Sequence, residues 1–337
     1  MMPQSNDSRE KVKELTDMLE KGVQDVFQSD QYKKWLSTCA KFHSYSVNNQ
    51  ILIATQMPSA SMVAGFSTWK SMQRYVQKGE KGLKILCPAP QRKRELVDEK
   101  DPVTGQVRLD SAGNPKKVVS EVLIPRYKVG YVWDVSQTEG KELPTLVTTL
   151  DGSVEGYEQM KKALEKVSPV PIRVEPIQGG ANGFYHLQDK RIVIKEGMSE
   201  EQTIKTMIHE ITHASLHDPD LDPEAKTKQR ADQEIEAESV AYVVCQYYGI
   251  DSSQYSFGYV TSWAEGKELT QLHRSMQTIS KTANSLIERT DAALYPDKIA
   301  EKAQDDLKEM GPGTIGKAVF QKKDLDREPV LAKPRRR

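Results

Sequence analysis

The stretch Thr206–Asp218, TMIHEITHASLHD, sets His209, His213 and His217 four residues apart, with Glu210 beside the first. On a helix, residues i and i+4 share a face and stand about 6 Å apart along the axis. Ile204, Met207, Ile208, Ile211 and Ala214 fall on the opposite side. The segment must therefore lay an apolar stripe on a core while holding two imidazoles off it. SEEQ at Ser199–Gln202 reads as a capping box that opens the helix. Two imidazoles so placed can grip one cation, and Glu210 is placed to take a proton from a water activated there. With six histidines in 337 residues, roughly 0.01 such His-Glu-x-x-His matches are expected by chance.

His217 lies about 12 Å along the axis from His209, too far for both to bind one ion through bonds near ~2.1 Å. It is expected to be an orienting or a surface residue. The third ligand is expected from the next helix, DQEIEAESVAYVVCQYYG. Glu234 falls nearest the edge of its apolar face, Glu238 follows one turn later, and Glu236 points elsewhere. Glu234 is taken as the ligand and Glu238 as the carboxylate that orients a ligand histidine, with an exchange of the two roles left open. Two histidines, a carboxylate and an open position describe a hydrolytic zinc site rather than a structural one. The donor to a tetrahedral oxyanion is sought among Tyr185, His186, Tyr259 and His273, and the sequence does not choose. GFYHLQDKRIVI reads as an edge strand able to lay an extended substrate across the cleft.

Composition narrows the setting. Apolar residues make up 37% and charged residues 28% of the chain, and no run reaches the roughly 18 apolar residues of a membrane span. The first residues lack the apolar stretch of a secretion signal. Cys39, Cys87 and Cys245 are scattered and odd in number, which suits reduced thiols and a cytoplasmic location. The net charge of zero hides a split. Residues 31–94 hold eleven Lys/Arg against one acid, Glu80, whereas residues 141–290 hold 16 bases and 23 acids. A basic lobe joined to an acidic one implies two modules, the basic one facing an anionic partner.

The expected architecture is α+β in two domains. Residues 1–145 read as helices over 9–27, 30–42 and 46–56, a short helix at FSTWKSMQRYV, a strand in KGEKGLKILCPAP and a closing strand in RYKVGYVWDVSQTEG. The polar segment 92–120, with turn signals DPVTG and SAGNP, reads as a protruding hairpin or arm. Residues 150–292 read as a zincin-like module with a helix at YEQMKKALEKV, strands, the histidine helix, the Glu-rich helix stopped by Gly249, and a long packing helix at ELTQLHRSMQTISKTANSLIE. Residues 293–337 read as a polar tail. The basic lobe mixes its cations with Phe42, Tyr45, Phe66, Trp69 and Tyr75, a composition suited to single-strand binding, where cations follow the backbone and rings stack on bases.

YSVNNQILIATQMP, VAGFSTWKSM, KGEKGLKILCPAP and VGYVWDVSQTEG resemble the N-terminal domain of ArdC-type antirestriction proteins of conjugative elements. ANGFYH, IHEITHASLH, EIEAESVAY and YVTSWAEGKE are similar to the metallopeptidase domain of the same proteins and, more distantly, to ImmA/IrrE-type endopeptidases. The resemblance covers about residues 10–290. It implies single-stranded DNA binding in the first module, with Trp69 and Lys70 in the matching TWK; Arg74, Lys78, Lys81 and Lys84 of the basic lobe are taken as further DNA contacts. It implies zinc, or another divalent ion, on His209, His213 and Glu234, with Glu210 as the catalytic carboxylate. The function implied is protection of incoming DNA from host restriction, with a host restriction component as protein partner. Cleavage of an element's own repressor, or a DNA-binding protein with a structural metal, are the alternatives. Segment 92–120 and the tail depart from the minimal pattern.

Overall fold

The computed structural model describes residues 4–101, 104–143, 154–251, 255 and 257–296. The expected junction at 145–150 and the expected tail from 297 onward lie outside them. The first half opens with three helices, α1 (Gln4–Val26), α2 (Ser29–Lys41) and α3 (Val47–Gln56). In α1, Leu15, Leu19 and Val23 recur at helical spacing and are buried. Ser46 caps α3 by accepting the amide of Asn49. The short helix α4 (Phe66–Ser71) stops sooner than its sequence pattern suggests. Gln73 takes a positive φ of 58°, and the chain turns into β2 (Arg74–Val76), which pairs with β7 (Thr138–Gly140).

A three-stranded antiparallel sheet follows the order β1-β6-β3, with β1 at Val63–Ala64, β3 at Leu83–Pro88 and β6 at Tyr127–Asp134. One face carries Leu83, Ile85 and Val132 into a small core with Phe42, Ile53 and Val63. The other turns Leu86 and Val129 toward the helices. Segment 92–120 is a hairpin of β4 (Gln91–Asp98) and β5 (Lys117–Ile124), paired through eight consecutive cross-strand pairs.

In the second half, α5 (Val154–Val167) precedes a sheet of order β8-β10-β9. Strand β8 (Ile172–Glu175) runs parallel to β10 (Arg191–Lys195), and β9 (Gly183–His186) pairs antiparallel on the outer edge. The long helices α6 (Glu200–Leu216), α7 (Arg230–Tyr247) and α9 (Leu269–Leu294) pack on one another, with short α8 (Val260–Ala264) between them in sequence. At the end of α7 Gly249 takes a φ of 69°, a left-handed conformation that suits glycine after a helix. Ser199 caps α6 by accepting Gln202 N at 3.2 Å, while the Gln202 amide donates forward to Thr206 Oγ1, so the cap is one-sided.

The halves do not keep separate interiors. Leu15, Leu19, Tyr32 and Leu36 from α1 and α2 belong to one apolar cluster with Ile208, Val240, Val244, Met276 and Ile279 from α6, α7 and α9. Polar bonds cross the same boundary: Tyr32 Oη with Ser239 Oγ at 2.8 Å, Ser37 Oγ with Tyr242 Oη at 3.0 Å, and Gln50 Nε2 to Ser280 Oγ at 3.0 Å. Helix α7, which carries Glu234, is thus backed by helices of the first half. Among the described residues no helix is long and apolar enough to cross a membrane.

Candidate metal centre and nucleic-acid face

Helix α6 lies beneath β9 and β10 and presents His209 and His213 on one side. Their Nε2 atoms are 3.0 Å apart. From α7, Glu234 Oε2 comes to 3.7 Å from His209 Nε2 and 3.6 Å from His213 Nε2. Ligands about 2.1 Å from one ion in tetrahedral array stand roughly 3.4 Å apart, so the triangle has the size a divalent metal requires. Among the described residues His209, His213 and Glu234 are the group whose ligand atoms meet in this way. The two imidazoles hold the Glu234 carboxyl well below the usual carboxylate range. Burial works against charge on His209, but Glu234, Glu210 and Glu238 outweigh it and raise its pKa.

Glu210 is buried, and burial pushes its carboxyl upward. It faces β9 and accepts the backbone amide of Tyr185. Gly183 permits this approach, since a Cβ there would meet Thr206 Cγ2 at 2.6 Å and Val193 O at 3.0 Å. The cleft beside Glu210, of about 640 Å³, is bounded by Gly183, His209, Glu234, Glu238 and Tyr255.

His217 is buried and not a surface residue. Its Nδ1 lies 2.9 Å from His213 Nδ1, and its Nε2 lies 3.1 Å from Glu236 Oε2. Lys228 Nζ donates to the same oxygen at 2.9 Å. Glu236 Oε2 accepts a hydrogen bond from His217 Nε2 as well as from Lys228 Nζ. His217 Nδ1 then accepts from His213 Nδ1, the tautomer that would offer the His213 Nε2 lone pair to an ion. Glu236, expected to point elsewhere, is thus the carboxylate linked through His217 to the candidate ligand His213. The i, i+4 repeat continuing from His213 to His217 was the available signal for this arrangement. Glu238, assigned that orienting role from sequence, instead accepts the hydroxyl of Tyr259.

The four oxyanion candidates separate in space. Tyr259 stays at the cleft through Glu238; burial and that carboxylate raise its pKa. Tyr185 points its hydroxyl away, to Asp218 Oδ2 at 2.7 Å, where Lys190 also bonds. His186 sits on the alternate face of β9 and meets Asp189. His273 is buried against Asn48 of α3, at 2.7 Å.

The nucleic-acid candidates need correction. Trp69 is fully buried and its Nε1 donates to Trp133 O at 2.9 Å, so its ring has no face for a base. Arg74 spends its guanidinium on Thr138 Oγ1, Thr138 O and Lys141 O, tying β2 to β7. Lys70, Lys78 and Lys81 are exposed, while Lys84 is partly covered and 3.5 Å from Glu14. The exposed rings of the first half, among the described residues, are Phe66 (56%), Tyr75 (53%) and Tyr131 (45%). Phe66 stands 6.1 Å from Trp133 edge to face, and Gly82 abuts both Trp133 and Tyr131. Tyr131 pairs across the sheet with Lys84. In sequence Tyr131 is one residue of a strand, and nothing local marks its exposure.

Residues 7–133 match the family model described as the N-terminal domain of anti-restriction factor ArdC. Residues 129–244, which hold the His/Glu cluster, match the "Putative metallopeptidase family (DUF6782)". The chain joins an ArdC N-terminal domain to a domain of that metallopeptidase family. Its architecture is mixed α and β in two domains. An uncharacterized Bacillus anthracis protein, pXO2-81, is 26% identical over 309 residues, 84% of this chain. The chain spans about half (52%) of that relative's length. Two crystal structures of the antirestriction protein ArdC from plasmid R388 are similar. The metal-free form has 22% identity and a TM-score of 0.44, over 73% of this chain and 84% of that one. The Mn(II)-bound form has 17% identity and a TM-score of 0.47, over 83% and 97%.

Proposed function

We propose that this ArdC-type chain is a zinc-dependent peptidase coupled to a single-stranded-DNA-binding domain, acting to protect incoming DNA from restriction. The observation that carries the peptidase reading is the meeting of His209, His213 and Glu234 at metal-ligand separations beside a buried Glu210. Nitrogen and oxygen donors in this number suit zinc, and manganese or another divalent ion is the variant to test. When bound, the ion supplies Lewis acidity, polarising a scissile carbonyl and bringing the pKa of water to about 7.

The chain's own residues supply the rest. Glu210, raised by burial, accepts a proton from the attacking water and returns it to the leaving amine. Among the described residues strand β9 is the outer strand of its sheet and borders the cleft at Gly183, so an extended peptide can add to it as a further strand. Tyr259, whose hydroxyl donates to Glu238 on the cleft wall, is the candidate oxyanion donor once that bond is released. The open cleft favours this reading over a closed structural site.

For DNA, Phe66, Tyr131 and Tyr75 offer stacking faces, and Lys70, Lys78, Lys81 and Lys84 the phosphate contacts. The protein substrate is proposed to be a host restriction component, with a repressor of the element as the alternative. The experiment that tests the proposal expresses wild type and Glu210→Gln in restricting cells and follows the proteome. A protein shortened only by wild type supports it, and protection retained in full by the variant would remove peptide hydrolysis from the role.

A further inference from the structure

We propose that Lys205 makes the flank of the metal cleft toward the start of α6 a subsite for a carboxylate of the peptide substrate, an inference that rests on the peptidase reading. Lys205 precedes His209 as His209 precedes His213, on one face of α6. It is 5% exposed, the one lysine so deeply placed among the described residues. Its ammonium nevertheless has no ion pair or hydrogen bond among them. Glu201, one turn earlier and the natural helical partner, accepts the Tyr157 hydroxyl at 3.2 Å instead. The indole nitrogens of Trp35 and Trp133 also lack partners but are sealed inside the fold. The Lys205 nitrogen is not sealed, and its side chain lines the cleft beside His209 and Glu210.

A buried ammonium is costly unless an acid or several acceptors compensate it. The carboxylates of this cleft are committed elsewhere. Glu234 faces His209 and His213 at 3.7 and 3.6 Å, Glu238 accepts the Tyr259 hydroxyl, and Glu210 accepts the Tyr185 amide. Toward α7, burial raises the Cys245 thiol to about 12 and the Lys205 charge works against that rise, which sets the ammonium between the two helices. The opposite flank of the cleft, about 600 Å³, holds cations too. There Lys228 is 2.9 Å from Glu236 and Arg230 is 3.5 Å from Glu234. Among the described residues, the flank at Lys205 is the one whose positive charge no acid of the chain has taken up.

Its distance from the reacting centre selects the ligand. Four residues of helix advance about 6 Å, roughly the length of two residues of extended peptide at ~3.3 Å each. A peptide laid along β9 with its scissile carbonyl at His209, His213 and Glu234 therefore brings to Lys205 a group from a residue close to the scissile bond. A carboxylate there gains a charge-assisted bond from an ammonium that is already desolvated. Asn182, exposed just before β9, adds a carboxamide to the same wall. A phosphate dianion suits the place less well, because Glu210, Glu234 and Glu238 line the same space. An Asp or Glu side chain and the C-terminal carboxylate of the substrate share the chemistry that Lys205 recognises.

The test incubates the zinc-loaded full chain with a proteome-derived peptide library and maps cleavages by mass spectrometry. Asp or Glu at one fixed position near the scissile bond assigns the carboxylate to a side chain. Trimming of C-terminal residues that stops when the peptides are amidated assigns it to the chain end. Lys205→Met, which keeps the volume of the stem, should lower either preference about tenfold or more, the scale of one lost charge-assisted contact. Lys205→Arg should retain it, and Lys205→Gln replaces the Met variant should that fail to fold. Binding is read without turnover on immobilised, zinc-loaded Glu210→Gln. It should retain acidic peptides over the same peptides with their carboxyls amidated, and lose that retention when Lys205→Met is added. Retention without cleavage by wild type would keep the subsite and remove the peptidase reading. Cleavage with no carboxylate preference, or with one unchanged in the folded Lys205 variants, would overturn the inference and leave that reading standing. Neither cleavage nor retention would overturn both.

Discussion

The histidine helix and the basic lobe differ in how much geometry their residues carry with them. On α6 the chemistry demands spacing: two imidazoles can share an ion only at i and i+4, so the pattern carries its geometry with it. In the basic lobe the reading rested on composition, and composition does not say which way a ring faces. Trp69, the ring singled out, fills the space under the sheet, and Arg74 is a strand clamp. Phe66 and Tyr131, less conspicuous in sequence, are the rings in solvent. Functional motifs with an intrinsic period are legible from sequence, whereas surfaces assembled by packing are legible only once the packing is known.

The sharpest test of that contrast is at Glu210. Replacing it by Gln keeps size and leaves His209, His213 and Glu234 unaltered, so the proposed hydrolysis should fall about 10²–10⁴-fold while metal content by elemental analysis stays at wild-type level. Trp69→Ala should act in the opposite sense, as a core truncation costing about 3–5 kcal/mol in denaturant unfolding. Single-strand affinity of its folded fraction should be unchanged. Phe66→Ala and Tyr131→Ala should leave unfolding almost untouched and each lose about 1–3 kcal/mol of single-strand binding. If Trp69→Ala weakens DNA binding while Phe66→Ala does not, the assignment of faces is reversed.

His273 gives a pH-dependent prediction at the boundary between halves. Its pKa, lowered to about 4 by burial from an ordinary 6.5, means the unfolded chain binds the extra proton between those values. Stability contributed by the neutral ring is therefore full above about pH 6.5 and is lost as pH falls toward 4, by up to about 3 kcal/mol at 1.36 kcal/mol per unit. His273→Gln, which keeps a donor for Asn48, should flatten urea midpoints across this window; an unchanged slope would locate the proton uptake elsewhere. A smaller effect is expected from His217→Phe, which removes the acceptor behind His213. Zinc affinity by chelator competition should drop about 10–100-fold with little change in the unfolding of the metal-free protein.

Much of the fold follows from periodicity. Helices α1, α2, α3, α6, α7 and α9 lie where their apolar spacing and caps place them, and the two turn signals fall between strands β4 and β5 of the hairpin. The shared core was not legible, because Leu15 and Val240 each look like the buried stripe of an independent domain. Nothing local states that the stripes face one another. The split of FSTWKSMQRYV into helix and strand turns on a single residue, Gln73, whose left-handed backbone its side chain does not announce. Glu236 was misplaced for a similar reason: its partner is His217 at the end of another helix, and the α6–α7 crossing decides which carboxylate of the Glu-rich run meets which histidine.

That crossing also underlies the central claim, that Glu234 and not Glu238 completes the metal site with His209 and His213. Elemental analysis and zinc titration of Glu234→Ala and Glu238→Ala, each purified without chelator, test it most directly. The structure predicts one ion per chain in wild type and in Glu238→Ala, with affinity collapsing in Glu234→Ala. Wild-type protein that binds no divalent ion, or a Glu234→Ala variant that binds it as tightly as wild type, would contradict the account.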